Sequence, residues 1–320
     1  MGTKRLAMGV DGGGTKSDAV LVDETGTVLG WGRGGTGQVF WAGQRGATES
    51  YSNAVHAALG EHRPDELWVA GLHINVFDES RLPFSSLRFV PAGELTRGLA
   101  TALETYGIVV LSGTGSFVAA KKEDGTTLTL DGLGPLLGDY GSGYQIGLAG
   151  LRAAMASPWG SRRRTVLEYL IPQNLPVESM QDIFHWVYYD RQASRADIAS
   201  VAKIVAEAAE QGDRIAQEII LNAADDISDV LADLIEHLGL ESCDYPLVAS
   251  GGVAQGCQMF WDRVCERALA MAPRLRPIRP SVPPCIGAAL LALKAMGVDW
   301  TQALLEQIEK TLTAYKQTKD

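Results

Sequence analysis

Three short glycine-rich segments, each placed directly after an apolar run of β-strand type, constrain this chain more than any other feature. They are Asp11–Lys16 (DGGGTK), Ser112–Ser116 (SGTGS) and Ala249–Val253 (ASGGV). Glycine has no Cβ, so a strand that ends in it can turn tightly and bring bare main chain close to a ligand. With 36 glycines in 320 residues, the chain exceeds the roughly 7% of an average protein. We therefore expect ligand-facing turns at strand ends.

The first two segments lie inside two similar strand patterns, about a hundred residues apart. Each pattern predicts a β-hairpin with a glycine-rich tip, followed by a turn and a third strand. The predicted strands are Arg5–Asp11, Lys16–Asp23 and Thr27–Arg33 in the first pattern, and Ile108–Leu111, Phe117–Lys122 and Thr126–Leu130 in the second. The two share no long identity, so the repeat is one of architecture. We expect an α/β fold in two lobes, residues 1–106 and 107–320.

The remaining elements complete this α/β pattern. Apolar runs predict further strands at Leu67–Leu72, Leu87–Pro91 and Pro246–Ser250, and helical spacing predicts helices at Gln44–Leu59, Glu94–Glu104, Gln255–Ala270 and Ile286–Ala295. Residues 145–240 are predicted to be almost entirely helical, interrupted by prolines. We therefore expect a helical insertion at about 145–240 in the second lobe.

Composition excludes several functional classes. The net charge of −10 leaves no surplus of Lys and Arg to displace counterions, so nucleic acid is not expected as a partner. Apolar runs fall short of the ~18 residues of a membrane span. The four cysteines form no C-x-x-C pair, which is typical of reduced thiols. We expect a cytoplasmic protein with a small-molecule ligand and no membrane contact.

The three glycine segments have the composition of a phosphate-binding site. Backbone N–H groups of Gly12, Gly13, Gly14, Gly113, Gly115, Gly251 and Gly252 could cradle phosphate oxygens, with hydroxyls from Thr15 and Thr114 and the ammonium of Lys16 beside them. Asp11 could position Mg²⁺ through water. Any one segment alone is better explained by an ordinary tight turn. All three in this order favour convergence on one triphosphate.

With these motifs in place, the chain resembles the sugar kinase/actin/Hsp70 ATPase superfamily, and within it the N-acetylglucosamine kinase-like branch grouped with the BadF/BadG/BcrA/BcrD ATPases. In that pattern Asp11–Lys16 is the first phosphate loop, Ser112–Ser116 is the second, and Gly251–Ala254 lies against adenosine. The most branch-specific stretch is Gly132–Tyr144 (GLGPLLGDYGSGY). The motifs span residues 5 to 295, nearly the whole chain.

The resemblance implies two ribonuclease-H-like (actin-like ATPase) lobes, ATP and Mg²⁺ as cofactors, and a homodimer. It implies a transferase of carbohydrate metabolism, a kinase that moves the γ-phosphoryl group of ATP to a hydroxyl, expected to be the 6-hydroxyl, of an amino sugar. N-acetylglucosamine or glucosamine is the expected acceptor.

The resemblance also assigns the sugar side, where this chain departs from the family. The family base is an aspartate, and Glu94 stands at its position; an acidic residue in the first turn of a helix is the alternative explanation. Asp139 and Gly138 are expected to contact the sugar, together with Ser116 and with Gln38, which replaces an asparagine. Leu133 replaces a tryptophan. His73 and Asn75 either face the sugar or are ordinary loop residues.

Two other functions stay open at this point. One is an ATPase of the activator type, related to dehydratase and reductase activators. Some of those hold an iron–sulfur cluster through cysteines near the lobe junction, whereas no cysteine here precedes Cys243. The other is a catalytically weakened sugar- or nucleotide-binding module, suggested by the substitutions at Glu94, Gln38 and Leu133.

Overall fold

The computed structural model describes residues 4–72, 86–189 and 193–317. The chain forms two compact units. The first unit comprises Met1–Thr105 together with Pro280–Asp320, and the second comprises Tyr106–Arg279. Among the described residues, no helix combines the length and apolar composition needed to cross a bilayer.

Each unit contains a mixed sheet of five strands. The strands of the first unit are β1 (Arg5–Gly12), β2 (Ser17–Val22), β3 (Val28–Gly34), β4 (Glu66–Ala70) and β5 (Leu87–Val90); those of the second are β6 (Gly107–Ser112), β7 (Ser116–Lys121), β8 (Thr127–Asp131), β9 (Pro246–Ser250) and β10 (Arg276–Ile278). The orders are β3-β2-β1-β4-β5 and β10-β9-β6-β7-β8. In both sheets the hairpin strands pair antiparallel, and the strands beyond them pair parallel. The two sheets therefore repeat one topology.

Helices account for most of the remaining described chain. They are α1 (Val39–Leu59), α2 (Glu94–Ala100), α3 (Gly143–Ala156), α4 (Leu167–Asn174), α5 (Asp182–Tyr188), α6 (Arg195–Glu210), α7 (Arg214–Leu238), α8 (Gly252–Gly256), α9 (Gln258–Met271), α10 (Pro284–Ala295) and α11 (Gln302–Gln317). The five helices α3 to α7 form the predicted helical insertion. Together with the two sheets, the helices confirm the predicted α/β fold class.

The sheet of the first unit is buried on both faces. Successive side chains of a strand point to opposite faces, and in β1 Leu6, Met8 and Val10 pack in a cluster with α1 residues. Ala7 packs in a second cluster made largely by α10 and α11. The helix α10 approaches β1 so closely that a Cβ on Gly9 would lie 2.0 Å from the Cys285 carbonyl oxygen.

This packing divides the chain differently from the predicted lobes 1–106 and 107–320. Residues 280–320 belong to the first unit because α10 and α11 cover one face of its sheet. The first boundary, by contrast, lies within one residue of its predicted position. The prediction was wrong for the last segment because no local pattern reveals which sheet a late helix covers.

Several element ends differ from the sequence-based expectations. The helix α1 begins at Val39 and not at Gln44, because a kink at Gly43 (φ 68°) joins an additional turn to it. The predicted helix Glu94–Glu104 ends at Ala100, and Leu103 adopts a left-handed φ of 59°. The predicted helix Gln255–Ala270 is divided into α8 and α9 at Cys257, whose backbone is extended.

Candidate functional site

The first glycine segment lies at the tip of the β1–β2 hairpin, as predicted. The strand register pairs Asp11 with Asp18 and Gly12 with Ser17, so residues 13–16 form the tip. The Gly13 N–H donates to the Lys16 carbonyl at 2.8 Å, and the Gly37 N–H donates to the Gly13 carbonyl at 3.1 Å. The tip is therefore supported from the end of β3 and keeps a defined shape.

The residues of this tip have different environments. A Cβ on Gly12 would lie 2.0 Å from the Tyr51 hydroxyl, so glycine is required there for packing. A Cβ on Gly13 would meet nothing closer than 3.6 Å. The Lys16 ammonium lies 2.7 Å from Asp18, whose other carboxylate oxygen pairs with Arg33 at 2.7 Å. Gly13 therefore has open space on the side where a Cβ would be, whereas the Lys16 ammonium pairs with Asp18.

The two predicted carboxylates of the first unit share one buried arginine. Arg97, with 4% of its side chain exposed, places Nη2 3.1 Å from Asp11 Oδ1 and 3.9 Å from Glu94 Oε1. Glu94 is the first residue of α2, and its side chain is 45% exposed. Burial raises the pKa of nearby Tyr51 to about 12, with Arg97 opposing the rise and Asp11 adding to it. Asp11 and Glu94 are thus brought to one place, and Arg97 was missed by sequence reasoning.

In the second unit, the second glycine segment is the tip of the β6–β7 hairpin. Ser112 pairs with Ser116, and the Gly113 N–H donates to the Gly115 carbonyl at 2.9 Å. The Ser112 hydroxyl donates to the Gly141 carbonyl, and the Ser116 hydroxyl donates to the Tyr140 carbonyl, both at 2.7 Å. These side chains join the hairpin tip to the loop around residues 138–144. A contact between the buried Ser116 side chain and a sugar stays a prediction.

The first turn of α3 fixes the same tip from another side. The Gly143 N–H donates to the Gly113 carbonyl at 2.7 Å, and the Tyr144 N–H donates to the Thr114 carbonyl at 3.2 Å. N–H groups in the first turn of a helix lack partners within the helix, so these donors are satisfied by the loop. The second glycine segment and the 138–144 stretch consequently form one hydrogen-bonded body.

The third glycine segment, Ala249–Val253, packs against the second, Ser112–Ser116. Gly251 has a left-handed φ of 86°, and a Cβ there would lie 2.5 Å from the Ser112 carbonyl oxygen. A Cβ on Gly113 would lie 3.9 Å from the Gly252 nitrogen, and one on Gly252 would meet nothing within 4 Å. Two of the three glycine segments are thus brought together in this unit, with open space beside their main chain. Convergence of the first segment with them stays a prediction.

Asp139, the predicted sugar ligand, is held by a small polar network. Its backbone is left-handed, with φ 59°, and its N–H donates to Asp131 Oδ1 at 2.8 Å. The Asp139 carboxylate accepts the Gly134 N–H at 3.2 Å and forms an ion pair with Arg195. Burial raises the pKa of the Asp139 carboxyl, and the Arg195 guanidinium opposes that rise. Gly138 is required because a Cβ there would lie 2.1 Å from the Asp131 carboxylate.

Comparison with known proteins identifies the family. The sequence model of the BadF/BadG/BcrA/BcrD ATPase family matches residues 8–292, which include all three glycine segments. The chain belongs to this family.

Relatives of this ATPase family extend over both units. The N-acetyl-D-glucosamine kinase of Dictyostelium discoideum is 25% identical over 316 residues, which cover 92% of this chain and 99% of the relative. The N-acetylmuramic acid/N-acetylglucosamine kinase of Clostridium acetobutylicum is 28% identical over 186 residues, 58% of this chain and 60% of the relative. The solved structure of a candidate N-acetylglucosamine kinase from Chromobacterium violaceum has a TM-score of 0.67 and 23% identity, covering 90% of this chain and 99% of that one. Its match confirms the predicted fold class.

The glycine segments of this ATPase-family protein leave open space beside part of their main chain. At Gly13, Gly113 and Gly252 the space that a Cβ would occupy is open to at least 3.6 Å, and the Gly13 and Gly113 N–H groups already donate within their own hairpin tips. Mg²⁺ has fewer protein ligands available. The described residues contain no cluster of three or more His, Cys, Asp or Glu side chains that could hold a metal. Mg²⁺ is usually bound by one or two carboxylates together with water and phosphate, and Asp11 as such a carboxylate stays a prediction.

Other predicted positions are less informative. Gln38 is the residue before the first turn of α1, and its side chain makes no capping hydrogen bond. Leu133, at the family tryptophan position, is 65% exposed. His73 and Asn75 lie outside the described residues. Sequence reasoning missed Asp131, Arg97 and Arg195. Asp131 lies eight residues before Asp139, immediately before the branch-specific stretch, and this position is the one signal that could have revealed any of them.

Proposed function

We propose that this protein is an ATP-dependent kinase that transfers the γ-phosphoryl group to a hydroxyl, the 6-hydroxyl, of an amino sugar such as N-acetylglucosamine or glucosamine. The observation that most directly supports this proposal is that hydrogen bonds join the second phosphate loop to the loop that contains Asp139. The proposed phosphate loop, Ser112–Ser116, is therefore connected directly to the segment that contains Asp139, the residue proposed to bind the sugar. The names of both curated relatives support the same substrate class.

The proposed reaction assigns distinct work to the side chains. Glu94 accepts the proton of the attacking sugar hydroxyl, the sugar oxygen forms a bond to the γ-phosphorus, and the bond from that phosphorus to the β–γ bridging oxygen breaks, releasing ADP. The glycine main chain donates hydrogen bonds to the phosphates. Asp139, oriented by Asp131 and Arg195, accepts hydrogen bonds from sugar hydroxyls. Mg²⁺, when bound, supplies positive charge to the phosphates.

A direct assay tests this proposal. Isotope-labelled ATP with Mg²⁺ is incubated with N-acetylglucosamine, glucosamine, N-acetylmuramic acid and glucose, and the phosphorylated sugar is isolated. We expect label in an amino sugar, and in none when its 6-hydroxyl is replaced by hydrogen. The matched variant Glu94→Gln keeps the side-chain size but loses the base, so its product formation should fall by about 10²- to 10⁴-fold. Absence of labelled product from every sugar would contradict kinase activity.

A binding module without turnover is the second candidate function. It is favoured by Asp139, which is 3% exposed and already paired with Arg195, so a sugar must compete with an ion pair for this carboxylate. Calorimetry that detects nucleotide or sugar binding, together with no labelled product, would support this candidate over the kinase.

We also propose that the enzyme acts in the cytoplasm, where ATP is supplied, and that it forms a homodimer. Sedimentation equilibrium across a concentration series tests the second statement. A mass near the 34.2 kDa of one chain at every concentration would contradict it.

A further inference from the structure

Arg97 occupies an unusual position for an arginine side chain. It lies three residues after Glu94 in α2, is 4% exposed, and directs Nη2 toward Asp11 at 3.1 Å and toward Glu94 at 3.9 Å. Its other terminal nitrogen, Nη1, donates to the Ala92 carbonyl at 3.0 Å. The guanidinium thus contacts the loop before α2, the end of β1 and the first residue of α2.

The backbone leaves Arg97 little freedom to move. A Cβ on Gly287 would lie 2.0 Å from the Arg97 carbonyl oxygen, so α2 is pressed onto α10 at this residue. The Arg97 Nε is buried and has no hydrogen-bond partner among the described residues. A buried donor without a partner costs free energy. Arg97 therefore carries a stability cost at Nε, which its contacts with Ala92, Asp11 and Glu94 must offset.

These contacts bear on the length of Glu94. Glutamate is longer than the family aspartate by one C–C bond, about 1.5 Å, so an extended Glu94 would carry its carboxylate past the position of an aspartate. In a helix, residues three apart lie on the same face. The 3.9 Å approach of Arg97 Nη2 to Glu94 Oε1 therefore attracts the Glu94 carboxylate toward this face of α2.

We propose that Arg97 is a positioning residue that draws the Glu94 carboxylate back toward the first turn of α2 and thereby offsets the extra methylene of glutamate. The proposal rests on the proposed kinase function, in which Glu94 is the base. It goes beyond that function because it explains how a glutamate works at an aspartate position, and it predicts that residues 94 and 97 act as a pair.

A kinetic cycle tests the pair. Arg97→Met should lower kcat by about tenfold to a hundredfold, the cost of a misplacement near 1 Å, with little change in the KM for sugar. Adding Glu94→Asp to Arg97→Met should raise kcat above that of Arg97→Met alone, because the shorter carboxylate does not need to be drawn back. In the presence of Arg97, Glu94→Asp should lower kcat. Losses that simply multiply, as for independent sites, would overturn the proposal.

Two controls separate positioning from folding. Arg88→Met is the matched substitution in the same unit, since Arg88 pairs with Glu66 at 3.6 Å and stacks on Trp68, and it should leave kcat unchanged. Arg97→Lys retains a buried cation but loses the planar, multi-donor group. It should melt near the wild-type temperature and still lose kcat. Wild-type kcat in a folded Arg97→Lys or Arg97→Met protein would overturn the proposal.

A structural readout is independent of turnover. In crystal structures of the wild type and of Arg97→Met, the Glu94 carboxylate should differ in position by about 1 Å or more, the displacement that matters for rate. An unchanged Glu94 carboxylate overturns the positioning role. If the wild type phosphorylates no amino sugar, the proposed function fails, whereas this comparison still decides whether Arg97 holds Glu94.

Discussion

Gly113→Ala should separate ligand binding from folding. Gly113 does not have a left-handed φ, and an added Cβ would lie no closer than 3.9 Å to any neighbour. Replacing a glycine by alanine in such a conformation stabilises a protein by about 0.4–1 kcal/mol, because the unfolded chain loses freedom. The variant should therefore melt at the wild-type temperature or a few degrees above it.

The same methyl group should interfere with phosphate. It would lie 3.9 Å from the Gly252 nitrogen, and an oxygen that accepts a hydrogen bond from that N–H lies about 2.9 Å away. If the phosphate oxygen and the methyl carbon lie in the same direction from the Gly252 nitrogen, only about 1 Å would separate them. Losing one hydrogen bond to a charged group costs about 1.5–3 kcal/mol, which corresponds to about a tenfold to hundredfold weaker Kd.

Calorimetric titration with a non-hydrolysable ATP analogue and Mg²⁺, with thermal melts followed by circular dichroism, measures both effects. Gly160→Ala is the matched control, since that glycine has open space and an extended φ of 172°; it should also melt at the wild-type temperature or slightly above it, and it should leave nucleotide affinity unchanged. Gly251→Ala should instead lower the melting temperature, because its φ is 86° and its Cβ would meet the Ser112 carbonyl at 2.5 Å. Unchanged nucleotide affinity in a folded Gly113→Ala protein would refute the assignment of this segment to phosphate.

Three further predictions concern single residues. Asp131→Ala removes the acceptor of the Asp139 N–H at 2.8 Å, so the KM for sugar should rise by about tenfold or more while nucleotide affinity stays near wild type; equal losses in both would contradict it. Gly287→Ala forces a Cβ to 2.0 Å from the Arg97 carbonyl, and should destabilise the protein by about 1–3 kcal/mol in denaturant unfolding. Burial raises the pKa of Tyr51 to about 12, so its stabilising contribution is complete below pH ~10, the pKa of an unfolded tyrosine, and is lost as pH rises toward 12; Tyr51→Phe should remove that loss from alkaline unfolding curves and remove one late-titrating group from the absorbance at 295 nm.

The parts of this fold that could be predicted from sequence are those set by neighbours in the chain. The hairpin at Asp11–Lys16 and its counterpart at Ser112–Ser116 follow from strand alternation interrupted by glycine, because both signals are local. The strand before Gly251 follows in the same way. Asp139 was located differently, through the family resemblance of the Gly132–Tyr144 stretch that contains it.

Contacts between segments that are distant in the chain could not be predicted from local sequence patterns. Arg97 looks like an ordinary charged residue of a helix, and only the packing of α2 brings its guanidinium to Asp11, 86 residues earlier in the chain. Arg195 is separated from Asp139 by 56 residues, and the helical insertion has no pattern that signals the pairing. The return of residues 280–320 to the first unit was missed for the same reason.

Because residues 280–320 belong to the first unit, this unit cannot be completed until the end of the chain has been synthesised. All five strands of the first sheet leave the ribosome before α10 and α11 exist, so the sheet face that includes Ala7 and Val20 lacks its cover. The first unit therefore completes its hydrophobic core last, although its strands are made first. Residues 1–105 produced alone should be largely insoluble, whereas joining residues 280–320 to them through a flexible linker should restore soluble protein. Equal soluble yields from the two proteins would show that the sheet needs no late partner.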